Sequence, residues 1–161
     1  PEGAELEVIE LHDVPLYNAD LDSDRSRPEG VVRLKERIEG ADGLIVVTPE
    51  YNYGVPGVLK NALDWASRPA FRSPLTGKPV GLMGASPGAG GTMRAQERLK
   101  LDLMAVLARV YPHPGVAVTR VGEKMEDGVL TDDDTRDFVR DYLEGYVEWL
   151  GRMREPSLEA A

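Results

Sequence analysis

The stretch Leu44-Ile45-Val46-Val47-Thr48-Pro49-Glu50-Tyr51-Asn52-Tyr53-Gly54-Val55-Pro56-Gly57-Val58-Leu59-Lys60-Asn61-Ala62-Leu63-Asp64-Trp65-Ala66-Ser67 contains one complete structural unit. Leu44 to Val47 is a continuous, β-branched-rich apolar run, and an unbroken apolar strand is one buried on both faces, as parallel sheets require. Residues 55 to 67 read as a helix, with Pro56 in the first turn and Val58, Leu59, Ala62, Leu63 and Ala66 along one side. Between them lies a loop stiffened by two prolines. A strand, a rigid loop and a helix in that order form the repeating unit of an open α/β sheet.

The flanking sequence repeats the alternation. Leu6, Val8, Ile9 and Leu11 form a short strand-like run closed by Asp13 and Pro15, and a polar loop extends from Pro15 to Pro28. From Glu29, Val31, Leu34 and Ile38 recur at helical spacing, and Gly40 provides a stop. A strand is predicted at 79–85, followed by a Gly-rich turn at 87–91 and an amphipathic helix over 92–110 carrying Leu99, Leu103, Met104, Val106, Leu107 and Val110. Pro112 and Pro114 end it, and Val116 to Val121 reads as the next strand. The last helix is predicted over about 132–154, with Val139, Tyr142, Leu143, Tyr146, Trp149, Leu150 and Met153 on one stripe. That stripe, aromatic residues included, is read as core. The order β-α-β-α-β-α-β-α predicts a doubly wound, mostly parallel sheet with ligands bound beyond the carboxyl ends of its strands.

Composition narrows the function. At 161 residues the chain is one domain's length, and 42% apolar with 29% charged residues is ordinary for a globular protein. Its net charge of −9 lacks the basic footprint that nucleic acid or an anionic membrane would select. Residues 121–161 hold twelve acids against five bases, and Asp132, Asp133 and Asp134 follow Thr131 as a helix start would, so the cluster reads as a solvated helix terminus and not a cation site. With no cysteine and only two histidines, His12 and His113, no thiolate nucleophile exists and neither a histidine triad nor a metal site is expected. Chemistry here calls for a borrowed cofactor, and the compartment expected is the cytoplasm.

Two loops fall at strand ends. Thr48 to Gly57 combines prolines with Gly54, which can take positive φ, and can present backbone amides in fixed directions, although a plain strand-end turn with an Asn in the left-handed region would look alike. Such amides suit the rim of a flat heteroaromatic ring, with Tyr51 or Tyr53 over a face. Ser86-Pro87-Gly88-Ala89-Gly90-Gly91-Thr92 has three glycines, so a ligand can approach its backbone closely, although ordinary turn chemistry would use them too.

The twenty-one residues from Pro49 to Pro69, including Pro49-Glu50-Tyr51-Asn52-Tyr53-Gly54-Val55-Pro56-Gly57 and Asn61-Ala62-Leu63-Asp64-Trp65, closely resemble the signature of the NADPH-dependent FMN reductase family. The resemblance continues through Ser86 and the Gly-rich turn into Arg94. It implies a three-layer flavodoxin-like fold over residues 1–161 as a single domain, FMN as cofactor and NADPH or NADH as hydride source. It implies a small-molecule acceptor such as a quinone, azo dye, chromate or free flavin, and a homodimer or homotetramer. By the same resemblance Pro49, Glu50, Tyr51 and Asn52 line the isoalloxazine, with the backbone and side chains of Glu50 and Asn52 at its polar rim. Gly54 shapes the loop, and Ser86 and Gly88 flank the other rim.

Members of that family open with a strand, a phosphate-binding loop and a helix, whereas this sequence starts at what resembles the lead into the second strand. The expectation is that the first βα unit, and with it the grip on the FMN phosphate, lies outside this sequence. Lys60, Asn61, Asp64 and Trp65 are catalytic by type, but their helical spacing assigns them to packing and capping, and none is taken as a catalyst. Three roles are open to Arg94: a contact to the extra phosphate of NADPH, an ion pair, or a solvated helix position. His12 and His113 read as surface or loop-packing residues, with His12 near the expected flavin side. The flavin would do the chemistry, so no side chain is named as acid or base. The alternatives are a flavodoxin-type electron carrier, which the acidity would suit, a non-catalytic FMN-binding module, and an interaction domain without flavin.

Overall fold

The computed structural model describes residues 1–154. Helix α1 (Glu29–Gly40) buries Val31, Leu34 and Ile38, and strand β1 (Leu44–Val47) follows it directly. After the proline-rich loop, α2 (Gly57–Ala66) buries Ala62, Leu63, Trp65 and Ala66. Strand β2 (Pro79–Ala85) leads to α3 (Met93–Ala105), whose Ala95, Leu99 and Leu103 are buried at i, i+4 and i+8. The short strands β3 (Arg109–Val110) and β4 (Val116–Val118) precede a small hairpin, β5 (Met125–Glu126) and β6 (Val129–Leu130), and α4 (Asp133–Arg154) follows.

β2 is the spine of a parallel sheet. On one edge β1 pairs with it from Leu44↔Val80 to Val47↔Met83, and on the other β3 takes Pro79 and Val80 while β4 takes Met83 to Ala85. Between β3 and β4 the chain leaves the ladder through Pro112 and Pro114. The Leu82 amide thereby loses a strand partner and donates instead to the Tyr142 hydroxyl at 2.7 Å. Side chains alternate across β2. Val80 and Leu82 join the cluster that packs α1, α2 and α3, while the opposite face at Gly81 is filled by Ile45, Tyr142 and Tyr146. Three helices therefore cover one face and α4 covers the other, which is the expected three-layer α/β arrangement. α4 is pinned further by the Tyr146 hydroxyl, which donates toward the carbonyls of Leu44 (3.0 Å) and Pro79 (3.1 Å).

Several expectations need correction. Residues 6–11 form no strand: Leu6 and Val8 are 81% and 79% exposed, and only Ile9 and Leu11 lean on the core. A period of two turns side chains to opposite sides, but a ladder also needs a neighbour, and among the described residues β1 pairs with β2 alone. The helix predicted over 92–110 stops at Ala105, because Leu107 at φ +62° turns the chain into β3. The strand predicted over 116–121 ends at Val118; Arg120 at φ +47° opens a 3-10 turn at Val121–Glu123, and the hairpin beyond it had no sequence signal beyond Asp127-Gly128. The loop from 15 to 28 contains a single 3-10 turn at Ala19–Leu21.

Candidate flavin site

β1 and β2 end side by side, so the loops that follow them are neighbours. Thr48, fully buried, continues the ladder by donating its amide to the Met83 carbonyl at 2.9 Å. The chain then closes a tight turn in which the Tyr51 amide donates to Gly54 (3.2 Å) and the Gly54 amide to Tyr51 (2.9 Å). Asn52 (φ +50°) and Tyr53 (φ +62°) fill its two central positions. Positive φ at both is what a type I′ connection requires, and Asn tolerates it far better than Tyr does. Gly54, which can take positive φ, does not use that freedom here; the Asn in the left-handed region is Asn52. A Cβ at Gly54 would meet only ordinary contacts, 3.7 Å from the Tyr51 carbonyl oxygen and 3.9 Å from Arg98.

Among the described residues, the amides of Asn52 and Tyr53 at the tip of this turn have no acceptor. The rings of Tyr51 and Tyr53 stand 63% and 64% exposed beside them, and Pro49 is exposed at the entrance.

The second turn is anchored to the strand beyond it. The Ser86 amide donates to Val118 (2.9 Å), the Arg120 amide to Gly88 (3.2 Å) and the Val121 amide to Ser86 (3.1 Å). Ser86 turns its own hydroxyl inward to accept the Gly88 amide at 3.1 Å. A Cβ at Gly88 or Gly90 would meet only ordinary contacts, 3.5 Å from the Ser86 hydroxyl and 3.5 Å from the Arg94 guanidinium, whereas at Gly91, at φ +58°, it would press on the Ala117 carbonyl at 3.0 Å. At Gly84 the requirement is stricter: a Cβ there would run into the Thr48 carbonyl and the Thr92 hydroxyl. Only glycine lets the two turns approach this closely. Buried Gln96 completes the floor, donating from Nε2 to the Thr92 hydroxyl (2.9 Å) and the Val116 carbonyl (2.7 Å).

Glu50 links the two turns. One carboxylate oxygen accepts the amides of Arg94 (3.0 Å) and Ala95 (3.1 Å), and the other accepts from the Arg94 guanidinium (3.2 Å). Burial opposes ionisation of this carboxyl, but the Ala95 amide, the Arg94 side chain and the Arg94 amide outweigh it and hold Glu50 below the usual carboxylate range. Sequence reasoning placed the Glu50 side chain on the flavin rim; the structure commits it to the start of α3. A signal was available, since α3 opens Met93-Arg94-Ala95-Gln96 with no acid in its first turn.

The remaining candidates fall outside the cleft or at its edge. Asn61 accepts the Tyr17 amide (2.8 Å) and donates to the Pro15 carbonyl (2.9 Å), which also receives Trp65 Nε1 (2.8 Å). Lys60 pairs with Asp64 at 2.6 Å. Asn61 and Trp65 thus tie the loop after residue 14 to α2, the packing role expected of them, while Lys60 and Asp64 pair along the same helix. His113 accepts the Gly115 amide at 3.1 Å and stacks on Tyr111, while exposed His12 lies 3.4 Å from Glu10. Among the described residues no group of His, Asp or Glu could hold a metal.

A parallel sheet with helices on both faces, whose adjacent strands end in two turns tied together through Glu50 and Arg94, defines a flavodoxin-like α/β domain. The family model for NADPH-dependent FMN reductases matches residues 1–123. An NAD(P)H-dependent FMN reductase from Pseudomonas aeruginosa is 39% identical over 155 residues, covering 96% of this chain and 83% of the relative. A 2-hydroxy-1,4-benzoquinone reductase from Burkholderia is 40% identical over 152 residues, covering 93% and 81%. Among solved structures, the flavoenzyme NAD(P)H:acceptor oxidoreductase of Paracoccus denitrificans superposes with a TM-score of 0.83 at 39% identity, covering 92% of this chain and 81% of that one. The chain belongs to the NADPH-dependent FMN reductase family. It is an oxidoreductase that works through FMN with a nicotinamide as hydride source.

Proposed function

We propose that this chain binds the FMN ring between the turns at 49–54 and 86–91 and passes hydride from NADPH or NADH to a small-molecule acceptor of the quinone class. The observation that carries this reading is the pair of amides at Asn52 and Tyr53 left without an acceptor among the described residues, on a turn that Glu50 ties to the helix following the Gly-rich segment. When bound, FMN supplies a ring that takes hydride from a nicotinamide and delivers it to a second molecule. The chain's own task is to hold that ring and stabilise negative charge along its rim. Fixed amides do this without a proton donor, because their dipoles are already oriented. Pro49 and Gly54 shape the first turn, Tyr51 packs beside the ring, and the backbone of Ser86 and Gly88 borders the opposite rim. Glu50 contributes its backbone there, since its carboxylate is engaged by α3. Several relatives are named quinone reductases, including one from Escherichia coli that is 38% identical over 159 residues, and this favours the quinone class over azo dyes, chromate or free flavin.

We place the protein in the cytoplasm as a homodimer or homotetramer that binds neither nucleic acid nor membrane. No described helix is long and apolar enough to cross a membrane. Met93, Leu101 and Met104 stand 62–64% exposed on α3 around the Lys100–Glu97 pair, a mixed face that suits a second copy of the chain. Steady-state turnover of the FMN-loaded protein with NADPH and a benzoquinone tests the central reading. Parallel double-reciprocal lines are expected, because the two substrates use the site in turn. Nicotinamide oxidation that is indifferent to the quinone would overturn the proposed acceptor class.

A further inference from the structure

Helix α3 begins without help from its own sequence. Its cap residue Thr92 makes no side-chain cap hydrogen bond, and its first turn contains no acid. The missing partner arrives from 44 residues earlier in the chain: the Glu50 carboxylate closes the amides of Arg94 and Ala95. An anion at this place is favoured by the aligned peptide dipoles of the helix. The contact continues outward, because Arg94 pairs with Glu50 at 3.2 Å and lays its guanidinium 4.3 Å from the centroid of the Tyr53 ring. Tyr53 is the bulky residue held at φ +62°, a conformation that persists only where its surroundings over-determine it.

We propose that Glu50 and Arg94 are positioning residues that latch the 49–54 turn onto the start of α3, so that the amides of Asn52 and Tyr53 are already aimed before the flavin arrives. The inference rests on the reading of that turn as the flavin rim. Glu50 suits this role better than proton transfer, since its side chain is only 9% exposed and both oxygens are already hydrogen-bonded. Arg94 is the outer half of the latch, gripping Glu50 with its edge and Tyr53 with its face. Gly84 and Gln96 set how near the turns lie, and the latch sets the orientation of the first turn.

The test compares parent, Glu50→Gln, Glu50→Ala and Arg94→Ala by amide hydrogen exchange without FMN and by FMN dissociation constant. The Tyr51 and Gly54 amides report closure of the turn, and the Ala95 amide reports the helix start. Glu50→Ala should speed exchange at all three and weaken FMN binding by roughly tenfold, the scale of a lost helix cap. Arg94→Ala should speed exchange at Tyr51 and Gly54 while Ala95 stays protected, a split that mere destabilisation of α3 would not produce. Glu50→Gln should fall between parent and Glu50→Ala. In turnover, Arg94→Ala should raise the FMN concentration needed for half-maximal rate while leaving kcat at saturating FMN within about twofold. Unchanged exchange at Tyr51 and Gly54 in Arg94→Ala and in Glu50→Gln overturns the latch, even if Glu50→Ala fails to fold. Failure of the parent to bind FMN would remove the flavin reading, and the exchange data on the FMN-free protein would still decide whether the turns are latched.

Discussion

Tyr53 concentrates the tension between stability and function at this site. A non-glycine residue in the left-handed region is strained by on the order of 1 kcal/mol or more. Tyr53→Gly is therefore expected to raise thermal stability by about 1 kcal/mol while weakening FMN binding, because the ring that Arg94 grips is gone. Lower stability combined with unchanged FMN affinity would contradict both parts. Gly84 behaves oppositely: Gly84→Ala forces a methyl against the Thr48 carbonyl and is expected to lower the denaturation free energy by about 1–3 kcal/mol in a urea titration. Charge acts at this scale as well. Glu50 titrates below its ordinary range when folded, so its contribution to stability is present above the unfolded carboxylate pKa and is lost as pH falls through the folded value. Acid unfolding of Glu50→Gln should accordingly show a shallower dependence on pH than the parent. The sequence made the composition of residues 49–54 legible, but not the partner of Glu50. A carboxylate in a loop carries no mark of which helix start it will meet 44 residues later, and only the acid-free opening of α3 hints at a vacancy.

At the scale of elements, periodicity was informative where burial is one-sided or complete. The run at 79–85 and the stripes on α1 and α4 appear as read, because each buries a face against the sheet or its helices; 44–47 forms its strand but is not buried on both faces, since it pairs with β2 alone among the described residues and ends at Val47, 68% exposed. It misled at 6–11, where an apolar alternation lacks a hydrogen-bonding neighbour among the described residues, and at 106–110, where apolar residues continue past a left-handed Leu107 into a strand. The partner that replaces the ladder at the break between β3 and β4 was equally hidden, since it is the Tyr142 hydroxyl reaching from α4 to the Leu82 amide. Tyr142→Phe should leave that amide unpaired and cost about 1–3 kcal/mol in a chemical denaturation experiment. Tyr146 has its ionisation pushed well above the ordinary tyrosine range by burial. In the unfolded chain it ionises near ~10, so its neutral form supports the fold below that pH and the support is lost as pH rises through the folded value. An alkaline titration followed by tyrosinate absorbance should show this ring ionising only as the protein unfolds.

For the whole molecule, the fold class and its layers were legible in the alternation of strands and helices, and the same order points to the loops where parallel strands end as the place for a ligand. What order could not convey is the fixed orientation of the cleft, which depends on contacts between loops. The exposed face at Met93, Leu101 and Met104 belongs to this scale. A Leu101→Glu, Met104→Glu double variant should shift light-scattering mass from an oligomer to a monomer without loss of helix content. The account's central claim is that the turns at 49–54 and 86–91 hold FMN as the acceptor of a nicotinamide hydride. Its most direct test is the visible spectrum of the FMN-loaded protein, recorded anaerobically as NADPH or NADH is added. Rapid, stoichiometric bleaching of the flavin bands and recovery when a quinone is admitted are expected; a bound flavin that stays yellow would rule out hydride transfer at these turns.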